Sequence, residues 1–162
     1  MLERINVKEL ENSVKSIGDD WMLITVADEK NGRVNAMTAS WGAMGVLWNK
    51  PVCICFVRPE RYTFELLAEH KELSVAFLGS QRRDALAFCG RESGRDLDKL
   101  EKCGLTTFEL DGIPVITEAQ AALTCRVLYP KFHPQRYGRP MPFPGEQHRK
   151  DIFQRKRRSL CI

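Results

Sequence analysis

The chain has 162 residues, 43% of them hydrophobic, and a formal net charge of only +4. This length supports one domain with a substantial core and is too short for two. Much of the positive charge follows residue 148, so the rest of the chain is close to neutral and no basic face for nucleic acid is indicated.

Up to residue 58, the pattern predicts one helix and three strands. They are an amphipathic helix over 6–16 with Val7, Leu10 and Val14 at helical spacing, and strands over 21–27, 34–41 and 52–58. Asn31-Gly32 predicts the positive φ of a hairpin turn between the first two strands. The glycine-containing segment 42–45 predicts a break in regular structure, and residues 49–51 predict a second turn.

From residue 62 onwards, helices and strands are predicted to alternate. In chain order they are a helix over 62–70 with Phe64, Leu67 and Ala68 inward, a strand over 73–78, a helix over 81–89, a short helix ending at Cys103, a small β element over 108–116 and a strand over 121–129. Ser80 is predicted to cap the helix that Gly90 ends, and Asp96 to cap the short helix.

This order of elements favours a mainly β fold with helices as cover. Most strands are joined to their neighbours by hairpins, and an antiparallel barrel is the usual closed arrangement of such strands. We therefore expect one domain over 1–129. Residues 130–162 form a proline-rich and then basic tail with no sign of a second domain.

Two short polar motifs predict a phosphate-binding site. Thr38 and Ser40 lie two apart on a predicted strand, so both side chains project from one face. Arg58, Arg61 and Thr63 flank a proline where a helix is predicted to begin. Hydroxyls, guanidinium groups and helix-start amides bind phosphate dianions, and the apolar neighbours offer shelter to a planar ring. Without further support, ordinary strand hydroxyls are the simpler interpretation of Thr38 and Ser40.

Several blocks in a fixed order carry a family resemblance. They are Asn35-Ala-Met-Thr-Ala-Ser-Trp-Gly42, Arg58-Pro-Glu-Arg-Tyr-Thr63, Ser93-Gly-Arg-Asp-Leu-Asp-Lys99, and Gly112-Ile-Pro114 followed by Leu123-Thr-Cys-Arg126. From about Trp21 to Tyr129 the chain resembles the flavin reductase-like, FMN-binding split-barrel family, which includes flavoredoxins and the small flavin reductases of two-component monooxygenases. The resemblance implies a six-stranded antiparallel Greek-key split barrel, a homodimer, and non-covalent FMN near the subunit interface.

The resemblance also implies which residues bind the cofactor. Those expected to line the flavin are Met37, Thr38, Ala39, Ser40 and Trp41. Those expected to hold the ring edge and the phosphate are Arg58, Arg61, Tyr62 and Thr63, and those expected to approach the cofactor are Ser93, Arg95 and Lys99. Hydride transfer to FMN needs no protein general base, so no catalytic residue is named. From the residues alone, Trp41 and Trp48 are better explained by core or interface packing.

The function implied is that of an FMN-containing oxidoreductase. It would transfer hydride from NADH or NADPH to FMN, or carry electrons as flavoredoxins do, with a monooxygenase or another electron acceptor as partner. Two alternatives stay open. One is a flavin store or sensor without turnover, and the other is a binding module whose basic tail engages nucleic acid or an acidic protein.

Further expectations concern location, the cysteines and the tail. No apolar run approaches the length of a membrane span, and the charged N-terminus has no signal-peptide core. Cys53 and Cys55 are expected to be small core residues on one strand face rather than metal ligands, so we expect a cytoplasmic protein with reduced thiols and no metal.

The segment from Phe143 departs from the family pattern. We expect a truncated or altered C-terminus that leaves a barrel edge uncovered.

Overall fold

Strands outnumber helices in the part of the chain that the computed structural model describes, residues 13–128 and the backbone of 160–161. The helices are α1 (Ser13–Gly18), α2 (Tyr62–Glu69), α3 (Arg83–Arg91) and α4 (Lys99–Cys103). The strands are β1 (Met22–Asp28), β2 (Arg33–Ala39), β3 (Gly42–Leu47), β4 (Lys50–Val57), β5 (Glu72–Phe77), β6 (Thr107–Leu110), β7 (Ile113–Ile116), β8 (Ala121–Arg126) and β9 (Leu160–Cys161).

The strands form three antiparallel sheets. The largest has the order β2-β1-β5-β8, and its centre is the long β1–β2 hairpin. A second sheet has the order β3-β4-β9, and β6 and β7 form a separate hairpin. The predicted mainly β, antiparallel architecture with helical cover is therefore confirmed.

Both faces of β1 are buried, so this strand is apolar on both sides except at Thr25 and Asp28. Met22, Ile24 and Val26 face a core that β4 and α2 complete. Leu23 faces the opposite side, where α3 and α4 supply Leu86 and Leu100. Successive residues of a strand point to opposite faces, and this is why residues 22–26 form an almost unbroken hydrophobic run. The main sheet thus holds a closed core on one side and a helical layer on the other.

Two strand predictions need correction. Residues 42–45 do not break the structure but begin β3, because the neighbouring strand β4 supplies hydrogen-bond partners along its whole length. Gly42 permits this pairing, since a Cβ there would overlap the Ile54 carbonyl. The turn that follows is centred on Trp48 and Asn49, which have φ values of 50° and 59°, and Pro51 already lies in β4.

The helix ends also differ from the predictions. α3 begins at Arg83 after a 3-10 turn that Ser80 starts without a side-chain cap. Gly90 lies inside α3 instead of ending it, and it faces the Thr38 side chain closely. Asp98 rather than Asp96 caps α4, because its side chain accepts hydrogen bonds from the backbone amides of Leu100 and Glu101. Tertiary packing of α3 against β2 outweighs the weak local preference of one glycine.

Three smaller predictions also differ, wholly or in part, from the structure. In α2, Leu66 is buried while Ala68 is exposed, so the inward face is rotated from the predicted one. Gly32 has the positive φ expected of the first hairpin, but Asn31 instead ends a 3-10 turn. Val14 is 83% exposed. Residues 6–12 of the helix predicted over 6–16 lie outside the described residues, and residues 13–16 belong to α1.

The C-terminal tail is described only where β9 pairs with Phe56 and Val57 of β4. This pairing occupies two residues along one side of β4. The rest of the tail lies outside the described residues. The domain boundary at residue 129 and the altered C-terminus therefore stay predictions.

Candidate functional site

The site is built around the connection from β4 to α2. The chain leaves β4 at Val57, turns through a hydrogen bond from the Arg61 amide to the Arg58 carbonyl (3.0 Å), and enters α2 at Tyr62. Arg61 has extended backbone angles at the helix N-cap, and Thr63 is buried in the first turn. The tight turn separates the two arginines that the sequence motif places side by side. Only one of them reaches the cavity described next.

A small polar cavity of about 140 Å³, called here the cationic cavity, lies between the start of α2 and the segment that follows α3. Its lining comprises Met37, Glu60, Arg61, Tyr62, Thr63, Arg91, Glu92, Ser93, Gly94, Arg95 and Lys99. Four basic side chains therefore face two acidic ones. Both acidic side chains already have arginine partners, since Glu60 pairs with Arg58 at 3.7 Å and Glu92 with Arg91 at 2.8 Å.

Lys99 is the most unusual cation of this cavity because it is only 4% exposed. Its Nζ donates to the carbonyl oxygens of Cys89 and Glu92, at 3.2 Å and 3.3 Å. Burial is the main cause that lowers the pKa of Lys99, and the charge on Arg61 lowers it further. Within the described part of the chain, neither Lys99 nor Arg61 forms an ion pair with a carboxylate. The nearby charge of Glu92 raises the pKa of Lys99 and so offsets part of this lowering. Two adjacent cations that form no salt bridge of their own favour the binding of an anion.

A wider cavity of about 360 Å³, called here the groove, adjoins the cationic cavity. It is lined by Trp21, Thr38, Ser40, Leu86, Ala87, Gly90 and Arg91. Arg91 lines both spaces, so they are neighbours. The Thr38 hydroxyl donates to the Leu86 carbonyl at 2.6 Å and ties β2 to α3. The groove falls in the usual range for ligand pockets, about 300–1,000 Å³, while the cationic cavity is closer to the size of a phosphate group.

The structure brings together most of the residues implied by the resemblance. Those lining the cationic cavity are Met37, Arg61, Tyr62, Thr63, Ser93, Arg95 and Lys99. Thr38 and Ser40 line the groove. Ala39, Trp41 and Arg58 line neither space: Ala39 is a buried core residue, while the other two are exposed. Their contact with a flavin stays a prediction.

The two tryptophans of the β3 region do not belong to the core. Trp41 is 73% exposed and Trp48 is 69% exposed, so the expectation of core packing is wrong for both. Val46 and Phe56 on the same hairpin are also exposed. Packing at an interface with another chain stays a prediction for this surface.

Tyr62 is held against the wall of the cationic cavity by a buried carboxylate. Its hydroxyl donates to Asp28 at 3.0 Å, Asn31 donates to the same carboxylate at 2.8 Å, and Arg33 lies at 3.6 Å. Burial alone would raise the pKa of Asp28, but these hydrogen bonds and the Arg33 charge outweigh it and lower the pKa. The Arg95 guanidinium stacks over the Tyr62 ring, 5.2 Å from its centroid. The network therefore fixes both an aromatic ring and a cation at the cavity.

Asn35, Gly94, Arg91 and Trp21 belong to the site but were not assigned a role from the sequence. Asn35 is 3% exposed, and its Oδ1 has no hydrogen-bond partner among the described residues. This atom lies against Gly94, where an added Cβ would overlap it. Both residues stand in the quoted motifs, so the signal was present. Their contact depends on bringing β2 against the segment after α3, which no local pattern reveals.

The cysteines are consistent with a core role. Cys53 and Cys55 are both buried on one face of β4 with their sulfur atoms 3.6 Å apart, which confirms the predicted placement. Among the described residues no cluster of metal-binding side chains occurs. None of the helices in the described part of the chain has the length and apolar character needed to cross a membrane.

The geometry defines a mainly antiparallel β domain in which a small cavity rich in basic side chains shares Arg91 with a wider groove. Residues 15–138 match the family model described as "Flavin reductase like domain". The chain therefore belongs to the flavin reductase-like family, and the resemblance read from the motifs is confirmed.

Individual relatives agree with this assignment. An uncharacterised protein of Aeropyrum pernix is 31% identical over 125 residues, which cover 75% of this chain and 46% of that protein. Flavoredoxin of Methanosarcina acetivorans is 26% identical with a TM-score of 0.62, over 80% of this chain and 66% of its own. An FMN-binding domain of a flavin reductase-like enzyme from Shewanella baltica is 19% identical with a TM-score of 0.62, over 72% of this chain and 62% of its own. The chain thus spans about half to two thirds of these relatives.

Proposed function

We propose that this chain binds FMN without a covalent link, with the phosphate in the cationic cavity and the ring along the groove. The observation that carries the proposal is a pair of cations in the cationic cavity, of which Lys99 is buried and Arg61 is half-buried. The groove lies beside this cavity, and Arg91 lines both spaces. The site has the two parts that FMN requires, one for a dianion and one for a flat ring. The family description and the FMN-binding relative from Shewanella baltica support the choice of FMN.

The residues fit the phosphate end in particular. Arg61 and Lys99 supply charge without a carboxylate partner among the described residues, and the hydroxyls of Thr63 and Ser93 line the same space. Hydrogen bonds from charged donors to phosphate are about twice as strong as neutral ones. In the groove, Trp21 and Leu86 offer apolar surface and Ser40 offers a hydroxyl to a polar ring edge.

We infer further that the protein is an oxidoreductase that uses this flavin. FMN, when bound, supplies the redox chemistry by accepting a hydride from NADH or NADPH. The part of the protein is to bind and orient the flavin, and no side chain of the described site is needed as a base. A monooxygenase component or another electron acceptor would then take the electrons.

Binding is tested by titrating the purified protein with FMN and following the quenching of flavin fluorescence. Saturable binding with one FMN per chain supports the proposal, and unquenched fluorescence at high protein concentration overturns it. Turnover is tested by following oxidation of NADH and NADPH with excess FMN. Binding without turnover would favour the alternative, a flavin store or sensor.

A homodimer is also part of the proposal. The β3–β4 hairpin exposes Val46, Leu47, Trp48 and Phe56 together, and large exposed apolar patches mark interaction surfaces. A second copy of the chain could cover this patch. Light scattering combined with size exclusion tests it: a monomer at all concentrations contradicts the dimer. The cytoplasm is the proposed location, and cell fractionation is its test.

A further inference from the structure

Asn35 forms a hydrogen bond to the hydroxyl of Thr63, a residue that lines the cationic cavity. It lies within β2, opposite Val26 of β1, and is 3% exposed. Its Nδ2 donates a hydrogen bond of 2.8 Å to the Thr63 Oγ1. Thr63 itself is 1% exposed and lines the cavity. A neutral amide is thus in direct contact with a residue of the proposed phosphate site.

This contact restricts the orientation of the Thr63 hydroxyl proton. A hydroxyl has one proton and two lone pairs, and one lone pair accepts the Asn35 amide hydrogen. The proton must therefore point away from Asn35. Among the described residues the Thr63 hydroxyl accepts from Asn35 and donates to no group, and Thr63 lines the cationic cavity together with Arg61 and Lys99. The hydroxyl proton is therefore available to a group bound in this cavity.

The amide of Asn35 is itself held in one orientation. Its Oδ1 lies against Gly94, and Arg33 donates to the Gly94 carbonyl and anchors that segment to β2. In this orientation the amide nitrogen, and not the oxygen, faces the Thr63 hydroxyl.

We propose that Asn35 is a positioning residue that makes Thr63 a hydrogen-bond donor to an anionic oxygen, and so selects phosphorylated flavin over riboflavin. The inference rests on the proposed function, because it takes the phosphate to lie in the cationic cavity. A phosphate oxygen carries no proton and accepts this hydrogen bond with charge assistance. The terminal hydroxyl of riboflavin is neutral and gains much less from the same donor.

The test measures the dissociation constants of FMN and of riboflavin for the parent and for three variants. Thr63→Val removes the hydroxyl at nearly constant volume, Thr63→Ser keeps it as the matched control, and Asn35→Ala removes the group that directs it. We expect Thr63→Val and Asn35→Ala each to lower the preference for FMN about tenfold, the size of a hydrogen bond to a charged group, while riboflavin affinity changes little. Thr63→Ser should retain most of the preference.

The double variant separates positioning from a general structural effect. If Asn35 acts through the Thr63 hydroxyl, Asn35→Ala should cause no further loss of preference once Thr63 is valine. An equal loss in both backgrounds overturns the proposal, and so does an unchanged preference in Thr63→Val. Circular dichroism checks that each variant is folded. If Asn35→Ala does not fold, the valine–serine comparison still decides whether the hydroxyl selects phosphate.

The result also distinguishes this inference from the proposed function. A parent protein that binds neither flavin overturns both. A parent that binds FMN and riboflavin equally well overturns the selection by Thr63 and leaves flavin binding standing. A parent that prefers FMN, with the losses described above, supports both.

Discussion

Removal of the Arg61 guanidinium should weaken FMN binding more than removal of any other arginine at the surface near the site. Arg61 lines the cationic cavity beside Lys99, and its charge contributes to the lowered pKa of Lys99. Its loss would remove one charge-assisted hydrogen bond to the phosphate. Such a bond contributes about 1.5–3 kcal/mol, which corresponds to roughly a ten- to hundredfold increase in the dissociation constant.

Two further variants make this measurement specific. Arg126→Ala removes an equal charge from the far edge of the main sheet, where Arg126 pairs with Glu72 at 2.6 Å, and it controls for net charge. Arg58→Ala tests the residue that the sequence motif favours but that lies outside the cavity lining. We expect a clearly smaller effect from Arg58→Ala than from Arg61→Ala, and almost none from Arg126→Ala.

The assay is flavin fluorescence quenching in buffers of rising salt concentration. Charge attraction between exposed groups is screened over about 10 Å at 0.1 M salt, whereas a direct contact in a cavity is screened less. The Arg61→Ala defect should therefore persist at high salt. Equal affinities of the Arg61→Ala protein and the parent would refute the assignment of the phosphate to this cavity. A larger effect of Arg58→Ala would place the phosphate on the other side of the turn.

Three other predictions follow from the same site. Gly94→Ala should lower the melting temperature and the free energy of unfolding by about 1–3 kcal/mol, because the new Cβ would overlap the Asn35 Oδ1; an unchanged melting curve contradicts this contact. Burial lowers the pKa of Lys99 below its usual 10.5, so this side chain loses its charge at a lower pH than an ordinary lysine. FMN affinity should therefore decline before pH 10.5 is reached. Lys99→Arg should remove that decline, because arginine keeps its charge in this pH range. The pKa of Asp28 in the folded protein lies below 3.8, so its contribution to stability is present above pH 3.8 and is lost as the pH falls through the folded value. Asp28→Asn should flatten this acid dependence of the melting temperature, and an unaltered acid profile would count against the Asp28–Tyr62 network.

Local patterns identified β1 because burial on both of its faces selects apolar residues at most of its positions. Met22, Leu23, Ile24 and Val26 are apolar since each faces one of two cores. The small β element predicted over 108–116 is a hairpin whose turn residues, Asp111 and Gly112, have a positive φ. The motif around Arg58 to Thr63 also identified a helix start that does line a polar cavity. These features depend on neighbours within a few residues, so the sequence alone determines them.

The helix ends and the site geometry depend on contacts between distant segments. Gly90 looks like a helix stop, yet α3 continues to Arg91 because the helix packs against β2 beside Thr38. Arg58 and Arg61 are equivalent in the motif, and only the turn between them decides which one faces the cavity. Sequence spacing carries no information on that direction.

What the sequence by itself determined is the class of fold, the family and the short list of residues from which the site is drawn. The tertiary structure alone decided that Lys99 is buried beside Arg61, that Asn35 forms a hydrogen bond to Thr63, and that a second space adjoins the cationic cavity at Arg91. The physical reason is the range of the interactions. Backbone propensity and strand alternation act between near neighbours, whereas charge, burial and hydrogen-bond direction at a site depend on segments that only folding brings together.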